Sequence, residues 1–339
     1  MEEIKLTRRD FISNVFVSGA AIMLFGTEQL LAAMAPRPHW AERKVSEVKL
    51  NADGKLKILN LTDLHFFGEG MLIDTDTLKD IKQMVKKFEP DMIMITGDFW
   101  NENYNGEGMK RLEWSCHKIE KYKLPWAFAW GNHDKLDDYN LGHKYLENSK
   151  YSLYRGAMDD GNYRIRVIDG RSDETVWNLI VLNDSRGGLK REQLVWFKDE
   201  AGRIRKESGK VPPAFIFMHI PLVEYMEIAR SGNAKGVMFE SVCHDNSDRD
   251  SIPVFKESGM VKAIFCGHDH YNDYSGYIEG IQLVYGRSTG SAGYGADRVP
   301  KGGTLITIDG NDKSYEFVSV LPEGATWSND GFEYDKKYW

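Results

Sequence analysis

Seven side chains suited to holding a metal stand at separated positions: Asp63, His65, Asp98, Asn132, His219, His268 and His270. Singly, each has an ordinary explanation. An aspartate after a strand is often a helix cap, and a lone histidine is more often a hydrogen-bonded polar residue than a ligand. Together they supply oxygen and nitrogen donors with no thiolate, and seven donors exceed what one ion needs. If Asp98 bridges with its two carboxylate oxygens, the set divides in two. Asp63, His65, Asp98 and His270 then surround one ion, and Asp98, Asn132, His219 and His268 surround the other. Imidazole combined with carboxylate favours iron, manganese or zinc over copper or soft-metal sites. The expected cofactors are therefore two divalent or mixed-valence ions.

The elements that must position these donors are strands ending at a common edge. Five apolar runs, 56–62, 92–96, 126–130, 214–218 and 261–266, each lead straight into a polar block. The blocks are Asp63-Leu64-His65, Gly97-Asp98, Gly131-Asn132-His133-Asp134, His219 and Gly267-His268-Asp269-His270. In open α/β sheets, ligands bind in the crevice outside the carboxyl ends of the strands. Helical spacing of Leu78, Ile81, Met84, Val85 and Phe88 predicts a helix over 75–88, with Pro90 beyond its end. Further helices are predicted over 109–122 and 189–205. Alternating short runs at 163–167 and 176–182, separated by a polar turn, read as a hairpin. The runs 274–278, 281–285, 304–308 and 315–320 predict a second sheet. The polar segment 230–251 reads as a long insertion of the kind that forms lids or binding loops.

At 339 residues the chain can bury a full core, and its composition is that of a globular protein. A net charge of -7 argues against a nucleic-acid surface, which needs a basic face. Cys116, Cys243 and Cys266 have neither zinc-ribbon nor redox-pair spacing. At the N-terminus, Thr7-Arg8-Arg9-Asp10-Phe11-Ile12 precedes a short apolar stretch over 15–25, with small residues at Ala32, Ala33 and Ala35. This resembles a twin-arginine export signal and is too short for a membrane span. The expected organisation is an export signal over 1–35, a linker over 36–47, a catalytic domain over 48–321 and a surface tail over 322–339. Localisation is then extracytoplasmic or periplasmic. The protein would touch the export machinery and membrane in transit, or stay tethered if Pro36 prevents cleavage.

In order and spacing, the five polar blocks resemble the signature blocks of the calcineurin-like metallophosphoesterases, over a span from about Lys55 to Ile308. Within them, His219-Ile220-Pro221, the 267–273 block and the Tyr285-Gly286-Arg287 region are similar to the Dcr2-like and purple-acid-phosphatase-like branch. The resemblance implies a four-layer α/β/β/α sandwich with its metal site at the carboxyl ends of the strands. It also implies hydrolysis of phosphate mono- or diesters by a metal-bridging hydroxide. True purple acid phosphatases carry a tyrosine ligand three residues after the bridging aspartate. Here that position is Asn101, and His65 stands where they lack a histidine, so a histidine-type centre is expected.

On this reading His133, beside Asn132 and free of any ligand role, protonates the leaving oxygen, with Asp134 orienting its imidazole or else capping a helix. Asp269, between two ligands, is expected to support them from behind. Arg287 and Arg298 are candidates for contacting substrate phosphate, and Trp100, Tyr104 and Tyr271 for a rim over the site. The rival reading is an exported metal-binding or scaffold protein that keeps the site without turnover.

Overall fold

The computed structural model describes residues 43–244, 250–327 and 331–338. The segment read as an export signal lies outside the described residues. In chain order the strands are β1 (Ser46–Lys49), β2 (Lys55–Leu61), β3 (Met92–Thr96), β4 (Trp126–Ala129), β5 (Tyr163–Ile168), β6 (Thr175–Val181), β7 (Ala214–Phe217) and β8 (Lys235–Met238). They continue with β9 (Val261–Cys266), β10 (Asn272–Ile278), β11 (Ile281–Tyr285), β12 (Gly303–Asp309), β13 (Ser314–Val320), β14 (Thr326–Trp327) and β15 (Phe332–Tyr334). The α-helices are α1 (Ile73–Phe88), α2 (Gly108–Glu120), α3 (Tyr139–Asn148), α4 (Arg191–Ser208), α5 (Glu224–Arg230) and α6 (Ser251–Ser258).

Strand alternation sorts the side chains into two cores. On β7, Phe215 and Phe217 face one core while Ala214 and Ile216 face the other, the period of two required of a strand covered on both faces. The first core lies between two sheets, one of six strands in the order β14-β13-β12-β2-β3-β4 and one of nine in the order β1-β5-β6-β7-β9-β11-β10-β8-β15. Phe215 meets Tyr315 at 5.0 Å between ring centroids, and Phe265 meets Phe317 at 6.0 Å, across that interface. Phe215 and Phe265, both fully buried, each contribute about 1.5–3 kcal/mol of apolar burial. Helices α4, α5 and α6 cover the nine-stranded sheet through Phe197, Ile228 and Phe255. Helices α1, α2 and α3 pack on the six-stranded sheet through Ile81, Met84, Leu112, Ile119 and Leu146. The result is the four-layer α/β/β/α arrangement.

Helix α1 also shows how a local signal reaches the site. Its first turn carries Asp74 and Asp76 and its last turn Lys86 and Lys87, matching the helix dipole. It stops at Glu89, which is left-handed, ahead of Pro90. Asp74 is buried and accepts hydrogen bonds from Phe67 N (3.1 Å) and Gly68 N (2.9 Å), tying the helix to the loop that follows His65.

Several expectations about the strands are corrected. The five donor-bearing strands do not share one sheet, since β2, β3 and β4 lie in the six-stranded sheet and β7 and β9 in the other. Nor do the four late strands form a sheet of their own: β12 pairs antiparallel with β2, whereas β11 pairs parallel with β9. The β10–β11 hairpin turns at Glu279 (φ 51°) and Gly280 (φ 82°), a two-residue connection of the type that matches strand twist. The 230–251 segment is not all loop, because β8 inside it pairs antiparallel with β10. Part of the expected tail, β15, is the parallel neighbour of β8, and β1 begins within the expected linker, paired with β5. Pairing partners distant in sequence decide all of these.

Candidate metal centre

The carboxyl ends of β2, β3 and β4 from one sheet and of β6, β7 and β9 from the other open onto one edge of the sandwich. Just beyond them the chain turns sharply. Asp63 (φ 55°), His65 (φ 47°), Asp98 (φ 50°) and His268 (φ 79°) all take left-handed backbone conformations. Such conformations cost about 1–3 kcal/mol each outside glycine, though Asp and His tolerate them better than most, and they persist where surrounding structure holds them. Two glycines permit the close approach. A Cβ on Gly97 would lie 2.3 Å from His219 Nδ1, and one on Gly131 would lie 2.2 Å from Asp98 N and Oδ1.

The turns bring the seven donors into two groups. Asp63, His65 and His270 form one, with His65 Nε2 and His270 Nε2 3.3 Å apart and Asp63 Oδ1 3.4 Å from His270 Nε2. Asp98, His219 and His268 form the other, with His268 Nδ1 3.3 Å and Asn132 Oδ1 3.0 Å from His219 Nε2. Asp98 Oδ2 stands between the groups, 3.6 Å from His65 Nε2 and 3.2 Å from His219 Nε2. A single oxygen of Asp98 thus faces both groups. Asp98 Oδ1 is occupied by the His133 amide at 2.9 Å.

The donors fit a pair of cations. His219 Nδ1 lies 2.8 Å from Thr96 O and His270 Nδ1 lies 3.2 Å from Tyr294 O. Donating to these carbonyls places a proton on Nδ1 and turns Nε2 inward as the metal-facing atom. Burial would lower His219, but Asp98 and Asp63 hold it well above its usual range, so an ion bound there displaces a proton. Burial pushes His65 and His268 down to about 4, so both imidazoles are neutral near pH 7. Burial would raise Asp63 and Asp98, but the imidazoles of His270 beside Asp63 and His219 beside Asp98 outweigh it and hold both carboxyls below their usual range. Ionised carboxylates and inward-facing imidazole nitrogens 3.3 Å apart call for a cation between them.

Around this centre the structure reassigns several residues. His133 keeps its place beside the donors, its ring centroid 5.1 Å from that of His65, and its side chain is partly exposed. Its Nδ1 lies 2.7 Å from Glu102 Oε1. The carboxylate facing His133 is therefore Glu102, not Asp134. Asp134 is 1% exposed and turns inward, accepting from Phe99 N (2.8 Å), Trp100 N (3.1 Å) and Gly131 N (2.7 Å). It clamps the β3 and β4 loops together and caps no helix, since α3 is capped by Asp138. Asp269 is buried and its Oδ2 accepts from Tyr285 OH (2.7 Å) and Cys243 N (3.1 Å), supporting the loop from behind.

Arg287 is fully buried and paired with Asp273, so it reaches no substrate. Arg298 sits over the Phe239 ring at 3.9 Å and 3.3 Å from Asp335. Trp100 is core, stacked on Phe128 at 5.9 Å, and Tyr104 and Tyr271 do not line the cavity. The aromatic wall is instead Tyr294, whose ring lies 4.2 Å from that of His270 at an interplanar angle of 13°. Sequence reasoning also missed Asp184, which accepts from His219 N (3.0 Å) and Ile220 N (2.8 Å) and is pushed up to about 7 by burial. The run over β6 ends in Asn183-Asp184, the same apolar-then-polar signal that marked the other blocks.

Residues 56–272 match the model for the calcineurin-like phosphoesterases. The chain belongs to this family. Among relatives, "Probable inactive purple acid phosphatase 28" of Arabidopsis thaliana is 27% identical over 296 residues, covering 73% of this chain and 74% of that protein. "Phosphatase DCR2" of Saccharomyces cerevisiae is 26% identical over 265 residues, covering 66% of this chain and 45% of that one. A solved dimetal phosphatase from Danio rerio shares the fold with a TM-score of 0.54 at 13% identity, over 81% of this chain and 98% of that one. The family uses a dimetal centre, and the two donor groups described above are candidate ligands for one.

Proposed function

We propose that this protein is a binuclear metal-dependent phosphoesterase that hydrolyses phosphate mono- or diesters with water as the nucleophile. The observation that carries the reading is Asp98 Oδ2 set between two imidazole-bearing groups, beside a histidine that belongs to neither. Asp63, His65, Asp98 and His270 would hold one ion, and Asp98, Asn132, His219 and His268 the other. Bound there, a pair of iron, manganese or zinc ions supplies acidified water and neutralises phosphoryl oxygens. The rest falls to the chain itself. Asp98 is held by the His133 amide, and His219 by Thr96 O and by the Asp184 carboxylate beneath its own amide. As the water oxygen joins phosphorus and the ester P–O bond breaks, His133 Nε2 delivers a proton to the departing oxygen. Glu102 keeps the ring oriented through Nδ1.

The word "inactive" in the name of the Arabidopsis relative favours a second reading, a metal-binding protein without turnover. Against it stands the Glu102–His133 pair, which metal storage does not require. Metal-loaded protein should hydrolyse a generic aryl phosphate monoester or diester, and absence of turnover on both, with metal bound, would select the second reading. We also propose export of the folded protein, supported by Arg8-Arg9 ahead of a short apolar stretch. Replacing both arginines by lysine should retain the protein in the cytoplasm, and unchanged export would remove the assignment.

A further inference from the structure

The cavity over the two donor groups, about 740 Å³, has a wall that a phosphate dianion meets badly. Beyond the proposed ligands and His133 its lining includes the rings of Phe67, Tyr294 and Tyr338, the polar Asn101 and Ser241, and the carboxylate-bearing Glu240. Among the described residues no lysine or arginine lines it. The cations of the surrounding loops are each engaged elsewhere. Arg287 is buried against Asp273, and Arg298 covers Phe239. The Lys301 ammonium donates to Ser288 Oγ at 2.9 Å and to Tyr294 O beneath the loop. Arg111 donates to the carbonyls of Asn101 (2.7 Å) and Glu102 (3.1 Å).

From this wall we infer that the substrate is a phosphodiester monoanion whose second substituent is aromatic or apolar, rather than a phosphomonoester dianion; the inference rests on the hydrolytic reading above. A monoester dianion carries a second full charge on oxygens that ordinarily take charge-assisted donors such as arginine. Here, among the described residues, the wall offers those oxygens no lysine or arginine and carries the Glu240 carboxylate, held by Tyr271 N (2.6 Å) and Tyr294 OH (2.8 Å), and selectivity often comes from such a repulsive element. In a diester that oxygen bears a carbon substituent and no charge, and the aromatic wall receives it. Tyr294 is preset for that contact. One face of its ring is stacked on His270, its hydroxyl donates to Glu240 Oε2 at 2.8 Å, and the residue is still half-exposed. Aromatic surfaces held in place this way bind apolar groups with little ordering cost. Water supplies the oxygen that joins phosphorus, one P–O bond breaks and the departing alkoxide or phenoxide takes a proton. The product, a monoester dianion, is the species the cavity holds poorly, which favours its release.

The test compares two substrates with the same leaving group on metal-loaded full-length protein: p-nitrophenyl phosphate and phenyl p-nitrophenyl phosphate. kcat/KM should be at least tenfold higher for the diester, and Ser241→Arg, which adds a cation at an exposed wall position, should narrow that ratio by raising the monoester rate. Equal or faster monoester hydrolysis overturns the inference and leaves the hydrolytic reading intact. Calorimetric binding of phenylphosphonate, a dianion at pH 8.5, and of its phenyl monoester, a monoanion, decides the matter apart from turnover. The monoanion should bind at least tenfold tighter. If neither substrate turns over, the hydrolytic reading fails while this preference is still measured, and tighter dianion binding overturns the inference.

Discussion

Replacing Asp134 and replacing Glu102 should fail in different ways, although both carboxylates lie near His133. Asp134 is the acceptor for three buried amides, at 2.8 Å and 3.1 Å on Oδ1 and 2.7 Å on Oδ2. In Asp134→Asn the amide oxygen can keep two of them, but the NH2 group meets Gly131 N donor against donor. One buried unsatisfied amide costs about 1–3 kcal/mol, which for a chain this long lowers Tm by about 1.5–5 °C. Asp134→Ala orphans all three at about 3–9 kcal/mol, comparable with the whole stability of a typical domain, about 5–15 kcal/mol. Glu102→Gln is different in kind. The Glu102–His133 contact is partly exposed, so its loss should change stability by well under about 1 kcal/mol. What it removes is the orientation of a proton donor worth about 10²–10⁴-fold, and we expect a loss of about tenfold in kcat, larger for a poorer leaving group. The assay is thermal unfolding and metal stoichiometry beside kcat for two aryl phosphodiesters of different leaving-group pKa. If Asp134→Asn keeps its Tm and loses rate selectively on the poorer leaving group, while Glu102→Gln loses neither, the assignment of the two carboxylates is wrong.

His133→Ala should lose about 10²–10⁴-fold in kcat on a poor leaving group and less on a good one, with metal content unchanged; a lost ion would make His133 a ligand. His268→Ala should lower metal stoichiometry as well as rate, and retention of both ions would remove it from the donor set. Iron-loaded protein should lack an intense visible charge-transfer band, because Asn101 offers no phenolate and the Tyr294 hydroxyl is engaged by Glu240; a band abolished by changing a tyrosine would refute this. Burial pushes Lys301 down to about 8, so the cost of its buried charge is present in full below that pH. Above it the unfolded chain binds more protons than the folded one, and wild type should gain up to about 3 kcal/mol relative to Lys301→Met as pH rises from 8 toward 10.5. Denaturant unfolding at pH 7.5 and 10 checks this, and a pH-independent difference between the two proteins would contradict it.

That these seven donor-type side chains stand at strand ends was legible in the sequence because the signal for each is local. An apolar run that must be a buried strand ends in a block of ligand-type residues, and a strand end is where such residues leave the core together. The same locality made α1 and the β5–β6 hairpin readable. What the tertiary structure decided is everything that depends on which distant group fills a neighbouring space. Asp134 follows His133 in the chain, yet three amides of the β3 and β4 loops draw its carboxylate inward, and Glu102, 31 residues away, takes the imidazole. Arg287 reads as a surface cation until Asp273 and Pro300 O enclose it. Strand β8 is four residues inside a polar segment, defined only by its hydrogen bonds to β10 and β15. Which sheet a strand joins is likewise a matter of pairing, because an apolar run is equally satisfied in either. A residue's type and its neighbours in the chain thus specify its chemistry and its place at a strand end, whereas its direction and partners follow from hydrogen bonds and burial that link positions far apart in sequence.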